Sequence, residues 1–248
     1  MSLAGRLAFV TGAGSGIGRA TCKIFSREGA SVVVADKVPK TVEETLNIIN
    51  QNGQNQHLGV ELDVGSSDSV GNALKKTLEK YSKPPTVIVN CAGITRDNFL
   101  LKLSEKDFDE VLDINLKGTF LIMKTFANSI VQHGLKNASI VNISSIVGKY
   151  GNIGQANYTA SKAGVELLTK TASKEFGQLG IRVNTIFPGM IKTRMIETVP
   201  DKVQDRFRAM IPMARFGEPE EIAEVITFLA SDKSSYVTGA SIHVTGGF

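Results

Sequence analysis

The sequence predicts an α/β fold: one domain on a doubly wound, parallel, seven-stranded sheet. Three observations carry this. Seven short runs of β-branched and aliphatic residues recur along the 248 residues. The stretches between them place apolar residues at three- and four-residue intervals, the period of helices packed on one face. The first run ends in a glycine-rich turn that leads into a helical pattern. Continuous apolar strands suit a sheet covered on both faces, and strand–helix alternation implies right-handed crossovers.

Taken in order, the expected strands are Leu7–Val10, stopped by the glycine turn, and Ser31–Ala35, which follows Gly29. His57–Leu62 is a weaker third, and Pro84-Pro85 introduces Thr86–Val89. Ser139–Ile143, Ile181–Phe187 and Ser241–Val244 complete the set. Helical spacing covers Ala20–Glu28, Thr41–Asn50, Ser69–Tyr81, Glu105–Gln132, Asn157–Leu179 and Glu218–Ser231. No linker, composition shift or internal repeat divides the chain, so 1–248 reads as a single domain. The irregular stretch 192–212 reads as a helical insertion after the sixth strand, where a substrate lid would lie.

Composition narrows the partners. With 28 basic and 24 acidic side chains the net charge is only +4, and no block of Lys and Arg marks a nucleic-acid arm. A mildly basic face suits an acidic substrate or carrier protein. Cys22 and Cys91 are too few for a disulfide framework and read as free, buried thiols in a reducing compartment. No apolar run is long enough to span a bilayer, and the first strand begins too early for a signal peptide. The expectation is a soluble intracellular protein, with an atypical or removed organelle signal left open. No metal site is read from the sequence.

The first turn is Thr11-Gly12-Ala13-Gly14-Ser15-Gly16-Ile17-Gly18. Glycine lets the backbone turn tightly and approach a ligand, and a helix N-terminus favours a pyrophosphate. Asp36 ends the second strand twenty residues after Gly16. A carboxylate there accepts hydrogen bonds from an adenosine ribose and repels a 2′-phosphate. Ser15 brings no cation for that phosphate, so the pattern favours NAD (NADH) over NADP, with Lys37 the one contrary hint. Asp63 and Val64 after the third strand, and Asn90-Cys91-Ala92-Gly93 after the fourth, lie where open α/β sheets bind ligands. An Asp beside an adenine amino group and small residues beneath a cofactor are sensible roles there.

The chemistry is carried by Ser145, at the end of the fifth strand, and by Tyr158 and Lys162, four apart on a helix and therefore on one face. A free phenol titrates near ~10 and is a poor catalyst at neutral pH. A neighbouring ammonium is expected to lower that value, and Ser145 to hold the substrate oxygen beside Tyr158. Asn115 is a polar residue in an apolar helical pattern. It needs partners, and it is expected to bend the helix and hold a water linked to Lys162.

Together these residues resemble the short-chain dehydrogenase/reductase family over the whole chain, which implies a Rossmann-like fold. The family's Thr-Gly-x-x-x-Gly-x-Gly turn is Thr11–Gly18, and its Asn-Asn-Ala-Gly motif appears as Asn90–Gly93 with Cys91 replacing the second Asn. The resemblance implies a catalytic tetrad of Asn115, Ser145, Tyr158 and Lys162, with Lys162 also on the nicotinamide ribose. It implies Pro188-Gly189 after the sixth strand, and Ile191 and Thr193 near the nicotinamide carboxamide. Cys91–Asn98, Asn115–Phe120, Ser144–Lys149 and Gly154–Asn157 resemble the β-ketoacyl-carrier-protein reductases. They are more similar still to the animal 17β-hydroxysteroid dehydrogenase type 8 group.

That likeness implies an NAD-linked 3-oxoacyl reductase or 3-hydroxyacyl dehydrogenase acting on an acyl thioester, with steroid activity as a further implication. It further implies an acyl carrier partner, a homotetramer or a heterotetramer with a related NADP-dependent reductase, and the mitochondrial matrix, with the cytoplasm as the alternative. Lys102, Lys136, Arg194 and Arg206 are the basic residues expected near the cleft. Two other readings stay open: a steroid or general carbonyl reductase, and a non-catalytic dinucleotide-binding assembly subunit.

Overall fold

The computed structural model describes residues 1–51, 56–193, 196 and 201–248. The strands are β1 (Leu7–Thr11), β2 (Ser31–Asp36), β3 (Leu58–Glu61), β4 (Val87–Asn90), β5 (Ala138–Ile143), β6 (Ile181–Pro188) and β7 (Ser241–Val244). They form one seven-stranded sheet in the order β3-β2-β1-β4-β5-β6-β7. Every pairing is parallel. Strand order reverses between β1 and β4, and the crevice at their carboxyl ends is where such sheets take ligands.

The helices are α1 (Gly16–Arg27), α2 (Pro39–Asn50), α3 (Ser67–Tyr81), α4 (Glu105–Leu112), α5 (Gly118–Gln132), α6 (Val147–Tyr150) and α7 (Ala156–Phe176). After β6 come α8 (Asp201–Met210) and α9 (Pro219–Ala230). Sequence chemistry sets their starts. Ser66 and Ser104 cap α3 and α4 by accepting from Ser69 N and Asp107 N. Pro39 opens α2, and Glu218 with Glu221 forms a capping box on α9.

Alternation along the strands builds a core on each face. Val10, Val34, Val89 and Val141 face one way and pack with Phe25, Ile222 and Leu229 of α1 and α9. Phe9, Ile88, Ile140 and Val183 face the other way, with Ile122, Phe126 and Ile130 of α5. The Phe9 and Phe126 rings lie 4.4 Å apart, centroid to centroid. Each fully buried Phe contributes about 1.5–3 kcal/mol of transfer free energy, so the sheet is a rigid floor for whatever its loops carry.

The structure departs from the sequence reading in three places. First, α1 begins at Gly16, four residues before the expected Ala20. Second, the expected helix 105–132 is broken by a π-helical turn, Asp113–Lys117, between α4 and α5. Third, α6 was not expected. The stretch 192–212 contains a helix, α8, as expected; positions 194, 195 and 197–200 lie outside the described residues. Among the described residues no helix is long and apolar enough to cross a membrane.

Candidate active site

The glycine turn joins β1 to α1 at the crevice. Gly12 and Gly16 have φ of +62° and +49°, which glycine adopts at low cost. A Cβ on Gly12 would stand 2.8 Å from the Ala92 Cα, and one on Gly18 would stand 2.1 Å from the Gly12 carbonyl oxygen. Packing onto β4, and of α1 onto the turn, therefore requires these glycines. Ser15 precedes α1 in extended backbone with no side-chain cap, and no carboxylate lies in the first turn. The positive end of α1 is thus not neutralised by an acid of its own, the arrangement that suits a pyrophosphate. Ile17 packs into the core beneath.

Asp36 stands beside this turn. Its Oδ2 accepts from Gly14 N at 2.9 Å and its Oδ1 from Val38 N at 3.1 Å. Both nearby cations are already paired. Lys37 Nζ lies 2.8 Å from Asp63; Arg19 bonds Glu44 at 2.8 Å and also the Gly14 carbonyl. The Lys37 hydrogen bond holds the Asp63 carboxyl below its usual range, and Gly65 N donates to it as well. Val64 is buried against Gly118.

Asn90 Nδ2 donates to Asn142 Oδ1 at 2.8 Å, and Ala92 N donates to Thr11 Oγ1 at 3.2 Å, stitching β4 to its neighbours. Cys22 and Cys91 are free thiols; burial pushes Cys91 up to about 12. Gly93 passes between the two halves of the site. A Cβ on it would lie 3.3 Å from Asn115 Oδ1 and 3.4 Å from Lys162 Nζ.

The opposite wall follows β6. The Pro188 carbonyl accepts from Ile146 N, Gly189 packs on Thr245, and Ile191 is buried and bridged to Gly217. The Thr193 methyl lies 3.2 Å from where a Gly16 Cβ would be, so this wall reaches the glycine turn.

The other half of the candidate site is built by β5 and α7. Ser145 is placed just beyond β5, where its Oγ accepts from Val147 N at 3.2 Å and its hydroxyl lies near enough to Tyr158 to act on the phenol. Lys162 is buried one turn along α7 from Tyr158. Its Nζ donates to the Ile143 carbonyl at 2.8 Å and lies 5.6 Å from the Tyr158 ring centroid.

The expected lowering of the Tyr158 pKa by Lys162 is corrected by this geometry. Burial pushes the phenol up to about 12; the Ser145 hydroxyl opposes the rise and the Asp97 carboxylate adds to it. Burial also brings Lys162 down to about 8. Desolvation is the largest cause of both shifts.

Asn115 lies in the π-helical turn, fully buried. Its Oδ1 accepts from Ile94 N at 2.8 Å, and its Nδ2 donates to Ile94 O at 3.0 Å and Ser161 Oγ at 3.1 Å. The bend and the need for partners are both met. The side chain acts as a clamp on the segment after β4.

Lys102 and Arg206 are exposed, on the short turn Leu100–Lys102 and on α8. Lys136 packs against Gly180 at the opposite, amino-terminal edge of the sheet, so its expected place near the cleft is corrected. Arg194 lies outside the described residues. The sequence reading gave no role to the segment after Ile94 or to Gln155 and Asn157, which the fold brings to the start of α7. A polar residue at a buried helical position, the signal that marked Asn115, would have found Asn157.

Comparison with known proteins agrees with this geometry. A family model described as enoyl-(acyl carrier protein) reductase matches residues 12–248. The chain is 48% identical to a human (3R)-3-hydroxyacyl-CoA dehydrogenase, with 97% of this chain and 94% of that one covered. It is 44% identical to a 3-oxoacyl-[acyl-carrier-protein] reductase FabG of Thermotoga maritima, covering 100% and 99%. A crystal structure of levodione reductase superposes with a TM-score of 0.94 at 32% identity, covering 99% and 98%. With the glycine turn, the Ser145–Tyr158 pair and Lys162 on one crevice, the chain belongs to the short-chain dehydrogenase/reductase family of oxidoreductases.

Proposed function

We propose that this protein interconverts a 3-oxoacyl and a 3-hydroxyacyl thioester, with NAD(H) as its cofactor. One arrangement carries the reading: Ser145, just beyond β5, and Tyr158, on α7, bring their hydroxyls together at the crevice, with Lys162 Nζ 5.6 Å from the phenol ring. Two hydroxyls converging on one point suit a single carbonyl oxygen. The names of the relatives supply the thioester class. The exposed Phe99, Leu100 and Leu101 follow the Asn98–Gln155 bridge and offer an apolar rim for an acyl chain.

When bound, the nicotinamide supplies or accepts the hydride. The residues fit such a cofactor. The turn 12–18 would hold the pyrophosphate, Asp36 the ribose, Asp63 the adenine, and Asn90 to Gly93 with Ile191 and Thr193 the nicotinamide end. The Asp36 carboxylate, together with the pairing of Arg19 and Lys37 to acids, favours NAD over NADP.

In reduction Ser145 donates a hydrogen bond to the substrate oxygen and Tyr158 hands that oxygen its proton. In oxidation Tyr158 takes the proton back. Lys162 holds its ammonium beneath the phenol, and Asn115 fixes the wall opposite.

The exposed apolar residues Phe120 and Val131 of α5 and Leu167 of α7 support our further proposal of a homotetramer, or a mixed tetramer with a related reductase, through these helices. We also propose the mitochondrial matrix as its compartment, on the resemblance alone; fractionation tests it.

The function is tested by assaying acetoacetyl-CoA, a long-chain 3-oxoacyl thioester and estradiol or estrone, each with both dinucleotides. Thioester turnover with an NADH preference is expected. Tyr158→Phe should lower kcat by at least about 10²-fold, the scale of general acid catalysis, while NADH binding by fluorescence stays within about threefold. Steroid-only turnover, or an active Tyr158→Phe, would overturn the reading.

A further inference from the structure

Asn157 is fully buried in the first turn of α7, next to Tyr158. A buried amide is costly unless each of its groups is paired. Its Nδ2 donates to the Arg96 carbonyl at 3.0 Å and to the Asp107 carbonyl at 3.2 Å. Its Oδ1 accepts from the Tyr158 backbone N at 2.8 Å. One side chain therefore ties together α4, the segment after β4 and the residue that carries the phenol.

The neighbouring contacts act in the same sense. Gln155 Nε2 donates to Asp97 Oδ2 at 2.9 Å, and Asn98 N donates to the Gly154 carbonyl at 2.9 Å. On its other side, the Tyr158 carbonyl accepts from Ser161 Oγ at 2.7 Å, and Ser161 accepts from Asn115. Tyr158 is thus held by its N–H through Asn157 and by its C=O through Ser161 and Asn115. Both asparagines anchor on residues 94–96.

We propose that Asn157 is a positioning residue for Tyr158: it locks the first turn of α7 to the 94–98 segment and to α4, and so sets the phenol oxygen against Ser145. This rests on Tyr158 being the proton donor. Asn157 touches neither substrate nor cofactor in this scheme. Its effect passes through the backbone of Tyr158, so it belongs in the chemical step and not in cofactor affinity.

The test compares Asn157→Ala, Asn157→Ser and Tyr158→Phe as full-length protein, with acetoacetyl-CoA and NADH. Active sites are counted by NADH fluorescence titration. A displacement of about 1 Å costs on the order of 10²-fold in rate. Asn157→Ala is therefore expected to lower kcat per binding site by about 30- to 100-fold, with the NADH Kd and the substrate KM within about threefold of wild type. Asn157→Ser keeps an acceptor for Tyr158 N and one donor, and is expected to regain about tenfold over the alanine variant.

Wild-type kcat per site in Asn157→Ala, beside an inactive Tyr158→Phe, would overturn the proposal and leave the proton-donor reading standing. So would a loss of activity that merely tracks the number of NADH sites. If Asn157→Ala does not fold, an unchanged kcat per site in Asn157→Ser overturns it. An active Tyr158→Phe removes the reading on which it rests.

Discussion

Replacing Asn115 by leucine tests the clamp at the other end of the same segment. Leucine keeps the branched outline and heavy-atom count of asparagine but is bulkier, so at this fully buried position any overpacking adds to the loss of the hydrogen bonds. The lost hydrogen bonds are those to Ile94 N, Ile94 O and Ser161 Oγ. Ser161 keeps its bond to the Tyr158 carbonyl, so the two Ile94 backbone groups bear most of the loss.

An orphaned group costs about 1–3 kcal/mol when buried; for the two Ile94 groups, whose bonds are part-buried, this is at most about 2–6 kcal/mol, against a total stability of about 5–15 kcal/mol. In a chain of this size that lowers Tm by about 2–4 °C per kcal/mol, so a fall of roughly 10 °C is expected. Melting followed by circular dichroism measures it. A Tm within about 2 °C of wild type would show that solvent satisfies Ile94 and that no clamp exists. Because Asn115 and Asn157 grip one segment, the double variant with Asn157→Ser should depart from additivity by at least about 0.5 kcal/mol.

Three other outcomes follow from single contacts. His57 Nδ1 accepts from Val32 N at 3.1 Å and its Nε2 pairs with Ser26 Oγ at 3.2 Å, so the ring is held neutral, and burial sets its pKa below the usual 6.5. The unfolded chain then binds the proton more readily; stability is fully present above about pH 6.5 and is lost as pH falls through the folded value. Urea midpoints at pH 7.5 and 5 should differ less in His57→Gln than in wild type, and equal differences would refute this. A difference titration at 295 nm, wild type against Tyr158→Phe, should show no Tyr158 phenolate up to about pH 11, because burial pushes that phenol up to about 12; a midpoint under 10 would restore Lys162 as the governing charge. Gly18→Ala drives a Cβ to 2.1 Å from the Gly12 carbonyl and must displace the turn. NADH binding weakened by at least about tenfold is expected from lost backbone approach, and an unchanged Kd would mean that this turn does not hold the dinucleotide.

The parts of the molecule legible in the sequence are those written in a local code. β-branched runs bounded by glycine and proline name the strands, and glycines that open a helix name the turn. Tyr158 and Lys162 are four apart on one helix, so their shared face needs no tertiary knowledge. What was not legible depends on contacts across elements. The break in the helix 105–132 hides inside unbroken apolar periodicity; the π-helical turn falls where Asn115 pairs with Ile94, in the segment after β4. Lys136 looks like any other surface lysine until the parallel sheet assigns it to the edge away from the crevice. The Tyr158–Lys162 pair shows the limit most clearly. Spacing says that the two are neighbours, and neighbourhood alone argues for a lowered phenol pKa. The fold buries both, desolvation raises the phenol and lowers the amine, and the ammonium donates to Ile143. The fold by itself therefore favours the protonated phenol, the state that the proposed proton transfer to a ketone requires.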